Sequence, residues 1–211
     1  LYTGENEVYI IKKHLLSTSS LNEVKLLYIL DHANIIKIKD WKSYNNFLYI
    51  TQPYYENGDM LDAIYKWKKK LELFKTLFQL TDVVKYLHSK NIAHMDINVE
   101  NILLDGDNNI VLMDLKNSTK ISEYKGDIVG NPTYHPPERK NIDPIKKDVW
   151  GIGFVIYEMV FSTSELNYDD IRACACKELK NILLNTLEQD SSKRWNIDKL
   201  YASLTLHAST C

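Results

Sequence analysis

The apolar pattern of this chain changes period near residue 57, and few architectures accommodate such a change within 211 residues. Before it the segments are short and strand-like. "EVYIIKK" (7–13) reads as a strand rich in β-branched residues. "SLNEVKLLYIL" (20–30) carries apolar residues at helical spacing after a Ser/Asn start, and predicts one helix. "NIIKIKDW" (34–41) and "NFLYITQPYY" (46–55) predict two more strands with a turn at Ser43–Asn46. After Gly58 the chain reads as mainly helical. "DMLDAIYKWKK" (59–69) and "LELFKTLFQLTDVVKYLHSKN" (71–91) are amphipathic, and 170–205 is helical again. The expected fold class is therefore α+β: a small β-rich lobe with one helix, a crossing segment near 52–58, and a larger, mainly helical lobe. The expected division is a partial small lobe over 1–54 and a large lobe over 55–211.

Composition bounds the function. The chain is 45% hydrophobic and 26% charged, enough apolar residues for a sizeable core and too many for a disordered chain. A net charge of −2 shows no basic excess, so neither nucleic acid nor a membrane surface is an expected partner. The longest apolar run, "VWGIGFVIYEMVF" (149–161), is too short to span a bilayer, is interrupted by Glu158, and reads as a core helix. Cys174, Cys176 and Cys211 form neither a disulfide framework nor a paired metal-binding spacing, so a reduced, intracellular setting is expected. The chain opens on Leu1 with no signal-peptide pattern after it.

One stretch carries unusual chemistry. In "HMDINVENILLDGDNNIVLMDL" (94–115) the acids Asp96 and Asp114 stand between apolar residues, and Asn101 follows Asp96 by five positions. "DGDNN" between the flanking apolar runs is a turn signal, so two short strands are expected there. This stretch would lie on the large lobe and face the crevice between lobes, where ligands favour binding.

Five motifs, in order, give the chain a resemblance to eukaryotic protein kinase domains over nearly its whole length. "HMDINVEN" is similar to the catalytic loop H-R-D-x-x-x-x-N, and "MDLK" stands where D-F-G belongs. "GNPTYHPPE" resembles the end of the activation segment, "DVWGIG" the start of the core helix, and "DSSKRW" the late D-P-x-x-R. The wording D-I-x-x-E-N also resembles the FIKK-type kinases of apicomplexan parasites. The Gly-Asn-Pro-Thr-Tyr segment fits the Ser/Thr pattern better than the tyrosine one.

The resemblance implies ATP and Mg²⁺ as cofactors and a protein substrate as partner. It makes Asp96 the base that orients the attacking hydroxyl, and Asn101 and Asp114 the oxygen ligands of the metal. A loop acid capping a turn would give the same wording at Asp114. Lys12, in "YIIK", fits the lysine of V-A-I-K, and Glu23 its helix partner. Strand alternation puts Lys12 and its competitor Lys13 on opposite faces, and both could also be solvated strand lysines. "ITQPYYENGD" resembles the hinge, with Gln52 at the back of the adenine pocket, and Pro53 and Tyr55 offering backbone groups. Leu103 resembles the residue that packs under adenine; an ordinary core leucine reads the same. Ile38, Leu27, Leu115 and His94 resemble the stacked regulatory spine, with Asp148 tying its foot to the catalytic-loop backbone. Glu138 and Arg194 resemble the pair that braces the activation segment.

Departures from the family pattern set an alternative. Met95 replaces the catalytic-loop arginine, Asn98 its lysine, Asn131 the activation-segment threonine, and Lys116 the D-F-G glycine. Asn98 thus enters as a catalytic-loop candidate without the family's charge. The sequence contains no G-x-G-x-x-G; "LYTGENE" looks like the turn before the lysine strand, so the preceding Gly-rich hairpin is absent from this sequence. The spacing from Lys12 to Glu23 and the stretch after Phe161 are short for the family. Two readings follow: a Ser/Thr protein kinase, or a pseudokinase serving as a regulatory or interaction module. A third is a non-kinase phosphotransferase on a similar fold.

Overall fold

The computed structural model describes residues 2–4, 7–66 and 72–207. Four antiparallel strands, β1 (Tyr2–Gly4), β2 (Glu7–Leu15), β3 (Asp40–Tyr44) and β4 (Phe47–Pro53), form one sheet in the order β1-β2-β4-β3. The turn expected at "LYTGENE" falls partly outside the described residues, as do the end of the helix expected over 59–69 and Cys211.

Helix α1 (Thr18–Ile29) starts two residues before the expected Ser20 because Ser17 caps it. The Ser17 hydroxyl accepts the Ser20 N–H at 3.2 Å while Ser20 Oγ accepts the Ser17 N–H at 2.9 Å. Such a reciprocal cap satisfies two otherwise orphaned donors. Val24 and Leu27 then face inward with Glu23.

The strand expected over 34–41 is corrected. Only Asp40 onward joins the sheet, and the turn tightens to Asn45–Asn46, both at positive φ. Residues 34–36 bond instead to the larger lobe: Leu112 N–H donates to Asn34 O at 2.8 Å and Ile36 N–H to Leu112 O at 3.0 Å. Ile35 and Ile36 are both buried, so the apolar doublet marks a segment enclosed on two sides, not an alternating strand.

The helical part packs around α3 (Pro144–Phe161), which is longer than the apolar run that announced it. Asp143 caps it, its Oδ1 accepting the N–H of Ile145 at 2.9 Å, and Pro144 supplies the preset first turn. Against it lie α2 (Leu73–Ser89), the shorter α4 (Tyr168–Ala173) and α5 (Lys177–Thr186), and α6 (Ile197–His207). The helix expected over 59–69 is a turn of helix followed by a π-helical segment at Asp62–Lys66.

Two small strand pairs and their turns present the site. β5 (Ile92–Ala93) pairs with β8 (Thr119–Lys120), and β6 (Ile102–Leu104) with β7 (Ile110–Leu112). The β6–β7 turn is held by Asp105 Oδ1, which accepts the N–H groups of Asp107 and Asn109 at 2.9 and 2.8 Å. Gly151 lets α3 approach the catalytic loop: a Cβ there would stand 2.9 Å from Ile97 O. The small sheet with one helix and the larger helical part match the two-lobed layout that the motif order implied.

Candidate active site

The loop from His94 to Asn101 joins β5 to β6, and a buried acid fixes its backbone. Asp148, near the start of α3, accepts the N–H of His94 on Oδ2 and of Met95 on Oδ1, both at 2.8 Å. His88 Nε2, on α2, lies 2.8 Å from the same Oδ2. Burial alone would raise the Asp148 carboxyl, but the His88 contact and the backbone N–H bonds outweigh it and hold the group below the ordinary aspartate range. Met95 is fully buried at φ 70°, and the buried Lys147 ammonium donates to its carbonyl.

His94 is buried and committed at both nitrogens. Nδ1 accepts the Asp96 N–H at 3.2 Å, so Nε2 carries the proton and donates to Met113 O at 3.0 Å. This places Asp96, whose carboxylate is held by three donors. Oδ1 accepts Asn98 Nδ2 and Asn131 N–H, both at 2.9 Å, and Oδ2 accepts Asn117 Nδ2 at 3.0 Å. Oδ2, with one partner, keeps a lone pair for a hydroxyl. Gly130 closes over the same group at φ 90°; a Cβ there would meet Asp96 Oδ1 at 2.7 Å and Met95 O at 2.8 Å.

Asn98 is a scaffold. Its Oδ1 accepts the N–H groups of Glu100 and Asn101, both at 3.0 Å, while Nδ2 also reaches Asp96 O at 3.2 Å. Asn101 donates Nδ2 to Asp96 O at 2.8 Å, which turns its amide oxygen the other way.

Opposite this loop is a cluster of charges. Lys12 Nζ sits 3.0 Å from Glu23 Oε1 and 3.2 Å from Asp114 Oδ1. Lys13 turns to the other face, its ammonium 3.9 Å from the Phe47 ring centroid. Asp114 adopts the left-handed conformation, φ 60° and ψ 67°, which aspartate tolerates better than most residues. Its Oδ2 is 3.1 Å from Lys116 Nζ. Burial works against the Asp114 charge, yet Lys12 and Lys116 together hold the carboxyl below its ordinary range. Glu23 goes the other way: it is completely buried, and that desolvation raises it despite Lys12. Lys116 itself lies in the short turn Leu115–Asn117 without a left-handed φ, so the glycine that the family places there is not needed for this backbone.

An Mg²⁺ ion suits this donor set. Asp114 Oδ1 is buried without a hydrogen bond, although Lys12 is near, and Asn101 offers a neutral amide oxygen; both are hard ligands. No group of three or more His, Cys, Asp or Glu with metal-binding placement occurs among the described residues.

The crossing segment lies beside this cluster. Ile10 pairs with Gln52 and Lys12 with Ile50 across β2 and β4, which sets Gln52 one inward position along from the lysine. Gln52 is buried, with Nε2 unpartnered. Tyr55 O already accepts Gly58 N–H at 3.1 Å, and Tyr54 N–H donates to Val8 O at 2.9 Å, leaving less free backbone than expected at this segment. Pro53 and Leu103 are half-buried; Leu103 bridges to Asp59. A cavity of about 500 Å³ lies against Val8, Tyr9, Ile38, Pro53, Tyr55 and Asp105, and includes none of Lys12, Asp96 or Asp114. Farther off, Arg194 grips Glu138 with two bonds of 2.7 and 2.9 Å below the activation segment.

The structure thus gathers Lys12, Glu23, Asp96, Asn98, Asn101 and Asp114, with Gln52, Pro53, Tyr55 and Leu103 along the adjoining edge. It adds Asn117 and the Asn131 N–H on Asp96, and Lys116 on Asp114. Asn117 lies three residues past Asp114, beyond the last motif letter, and nothing in its spacing signalled the contact.

A family model described as "Protein kinase domain" matches residues 6–205. The serine/threonine-protein kinase SIK1 of Rattus norvegicus is 34% identical over 164 residues, covering 72% of this chain and 21% of that protein. The hormonally up-regulated neu tumor-associated kinase of Mus musculus is 31% identical over 224 aligned positions, covering 93% of this chain and 31% of that protein. The serine/threonine-protein kinase SIK2 of Gallus gallus is 33% identical over 164 residues, covering 72% of this chain and 21% of that protein. The chain therefore spans between a fifth and a third of the length of these curated relatives. It belongs to the protein kinase domain family.

Proposed function

We propose that this chain transfers the γ-phosphoryl group of ATP to a serine or threonine hydroxyl of a protein substrate. The observation that carries this reading is Lys12, bridged between Glu23 and Asp114 at 3.0 and 3.2 Å, opposite an Asp96 carboxylate fixed by three donors. Phosphoryl transfer asks the protein for placement and charge neutralisation more than for covalent chemistry. Lys12 holds the α- and β-phosphates, and Glu23 keeps the lysine in place. Asp96 Oδ2 orients the substrate hydroxyl and receives its proton. Mg²⁺, held by Asn101 and Asp114, supplies charge neutralisation on the phosphates. The adenine ring lies against Gln52, Pro53, Tyr55 and Leu103. No helix among the described residues is long and apolar enough to cross a membrane. An intracellular setting accords with Cys174 and Cys176 being free thiols.

A pseudokinase is the second reading, and one observation favours it: the place of the catalytic-loop lysine is filled by a neutral Asn98 whose amide is consumed by the loop itself.

Both readings include nucleotide binding. ATP is expected to raise the melting temperature, by an amount that grows with Mg²⁺, in a thermal-shift titration. No shift at millimolar ATP would sink the nucleotide site. Control by activation-loop phosphate is not expected, because Met95 is buried and apolar where an arginine would receive that phosphate. Phosphatase treatment should leave the transfer rate within about threefold, since no phosphate-ordering contact is lost. A collapse of the rate would show that another cation, such as Lys120 or Lys125, receives a phosphate.

A further inference from the structure

Resting on the kinase reading, we propose that Lys116 neutralises the terminal phosphate of bound ATP, in place of the lysine that the catalytic loop lacks.

The argument starts from which cations are available. Asn98 offers no charge, and its side-chain donors and acceptors are used within the loop. Lys147 is buried and donates to Met95 O. Lys13 points at Phe47 on the outer face of the sheet. Lys12 is held between Glu23 and Asp114, toward the small lobe. Lys116 remains. Its ammonium is 3.1 Å from Asp114 Oδ2, on the other oxygen of that carboxylate from Lys12, and its side chain is 41% exposed.

Lys116 bonds Asp114 Oδ2 at 3.1 Å, and the next residue, Asn117, donates to Asp96 Oδ2 at 3.0 Å, so the turn Leu115–Asn117 runs from the metal-binding acid to the hydroxyl-orienting acid. The group that passes between those two acids is the γ-phosphoryl. A lysine ammonium is a compact point charge suited to phosphate oxygens.

In the transfer, the substrate oxygen forms a bond to Pγ. The bond from Pγ to the β–γ bridging oxygen breaks, and its electron pair leaves on ADP. The hydroxyl proton passes to Asp96 Oδ2. Lys116 forms no covalent bond; it offsets charge on the γ-oxygens, so ATP gains a contact that ADP lacks.

That difference is the test. Calorimetric titration of ATP and of ADP, each with Mg²⁺, is run on wild type, Lys116→Met, Lys116→Gln, Lys116→Arg and the double variant Lys116→Met with Asn98→Lys. Lys116→Met and Lys116→Gln should weaken ATP about tenfold, the loss of one charge-assisted contact, while ADP stays the same or tightens as Asp114 is released. Lys116→Arg should keep the preference for ATP, and Asn98→Lys should restore part of it. Thermal melts establish that each variant is folded; two neutral variants and one charged variant keep the comparison open if one of them fails. If ATP and ADP weaken together, or neither changes, Lys116 acts only on Asp114 and the assignment is overturned. If wild type binds neither nucleotide, the kinase reading falls and the Lys116 assignment with it.

Discussion

Asp96→Asn is expected to lower phosphoryl transfer by about 10²–10⁴-fold, the usual loss when a positioned base is removed, while ATP affinity changes little. The reason is where its bonds lie. Asp96 contacts Asn98, Asn117 and the Asn131 N–H, and neither Lys12 nor Asp114 is bonded to it. Its charge therefore acts on the hydroxyl in the transition state, and an interaction made only there lowers turnover without loosening the ground state. The amide of the variant must turn one NH₂ toward an existing donor, so some local loosening of Asn117 or Asn98 comes with it. Asp114→Asn should behave differently, because a lost metal ligand weakens the nucleotide complex along with the rate. Transfer is followed with labelled phosphate and binding by calorimetry, on the same preparations. A wild type with no transfer establishes the pseudokinase reading. An Asp96→Asn variant as fast as wild type means the base is another acid.

The contrast between these two acids was legible from sequence only because each stands inside a motif. Strand alternation put Lys12 and Lys13 on opposite faces, and only the motif match chose between them; the structure shows why the faces separate, since β2 is paired along its length to β4. The same rule fails for 34–39, where Ile35 and Ile36 are adjacent and both buried. There the backbone of Asn34 and Ile36 runs outside the sheet and bonds to Leu112, and the Asn34 amide to Ile110 O, partners 76 or more residues away that no local pattern announces. Asp62–Lys66 shows another limit. An amphipathic run specifies a buried face but not the hydrogen-bond step, and this one takes the wider π-helical turn.

Within the site, long-range contacts were the illegible part. Asn117 and Asn131 reach Asp96 from 21 and 35 residues away, and only the fold brings them there. Lys116 read as a missing glycine. In place, it is an added ammonium on Asp114, with a backbone that an L-residue adopts without strain. A departure from a motif thus carries two separate facts, what is lost and what the new side chain contacts, and sequence supplies only the first.

The largest expected effect on stability is at Asp148. Its carboxylate is 1% exposed and ties three elements together: α3 on which it stands, the catalytic loop through the N–H groups of His94 and Met95, and α2 through His88 Nε2. Asp148→Ala leaves two buried N–H donors and a buried imidazole without their acceptor. Breaking such a buried charged network typically costs about 3–5 kcal/mol. For a domain of this size that lowers the melting temperature by on the order of 10 °C. Asp148→Asn should cost less, since its remaining oxygen still accepts one of the N–H groups. The pH dependence has a definite sign. The folded carboxyl is held below its unfolded value, so its contribution is complete above about pH 4, the ordinary aspartate range. It is lost as pH falls through the lowered folded value. Urea titrations of wild type and both variants, at neutral pH and again in mild acid, measure this directly. Wild type should lose stability on acidification more steeply than Asp148→Ala. An Asp148→Ala protein as stable as wild type at neutral pH would mean that water replaces the carboxylate, and that the catalytic loop is held by packing of His94 and Met95 alone.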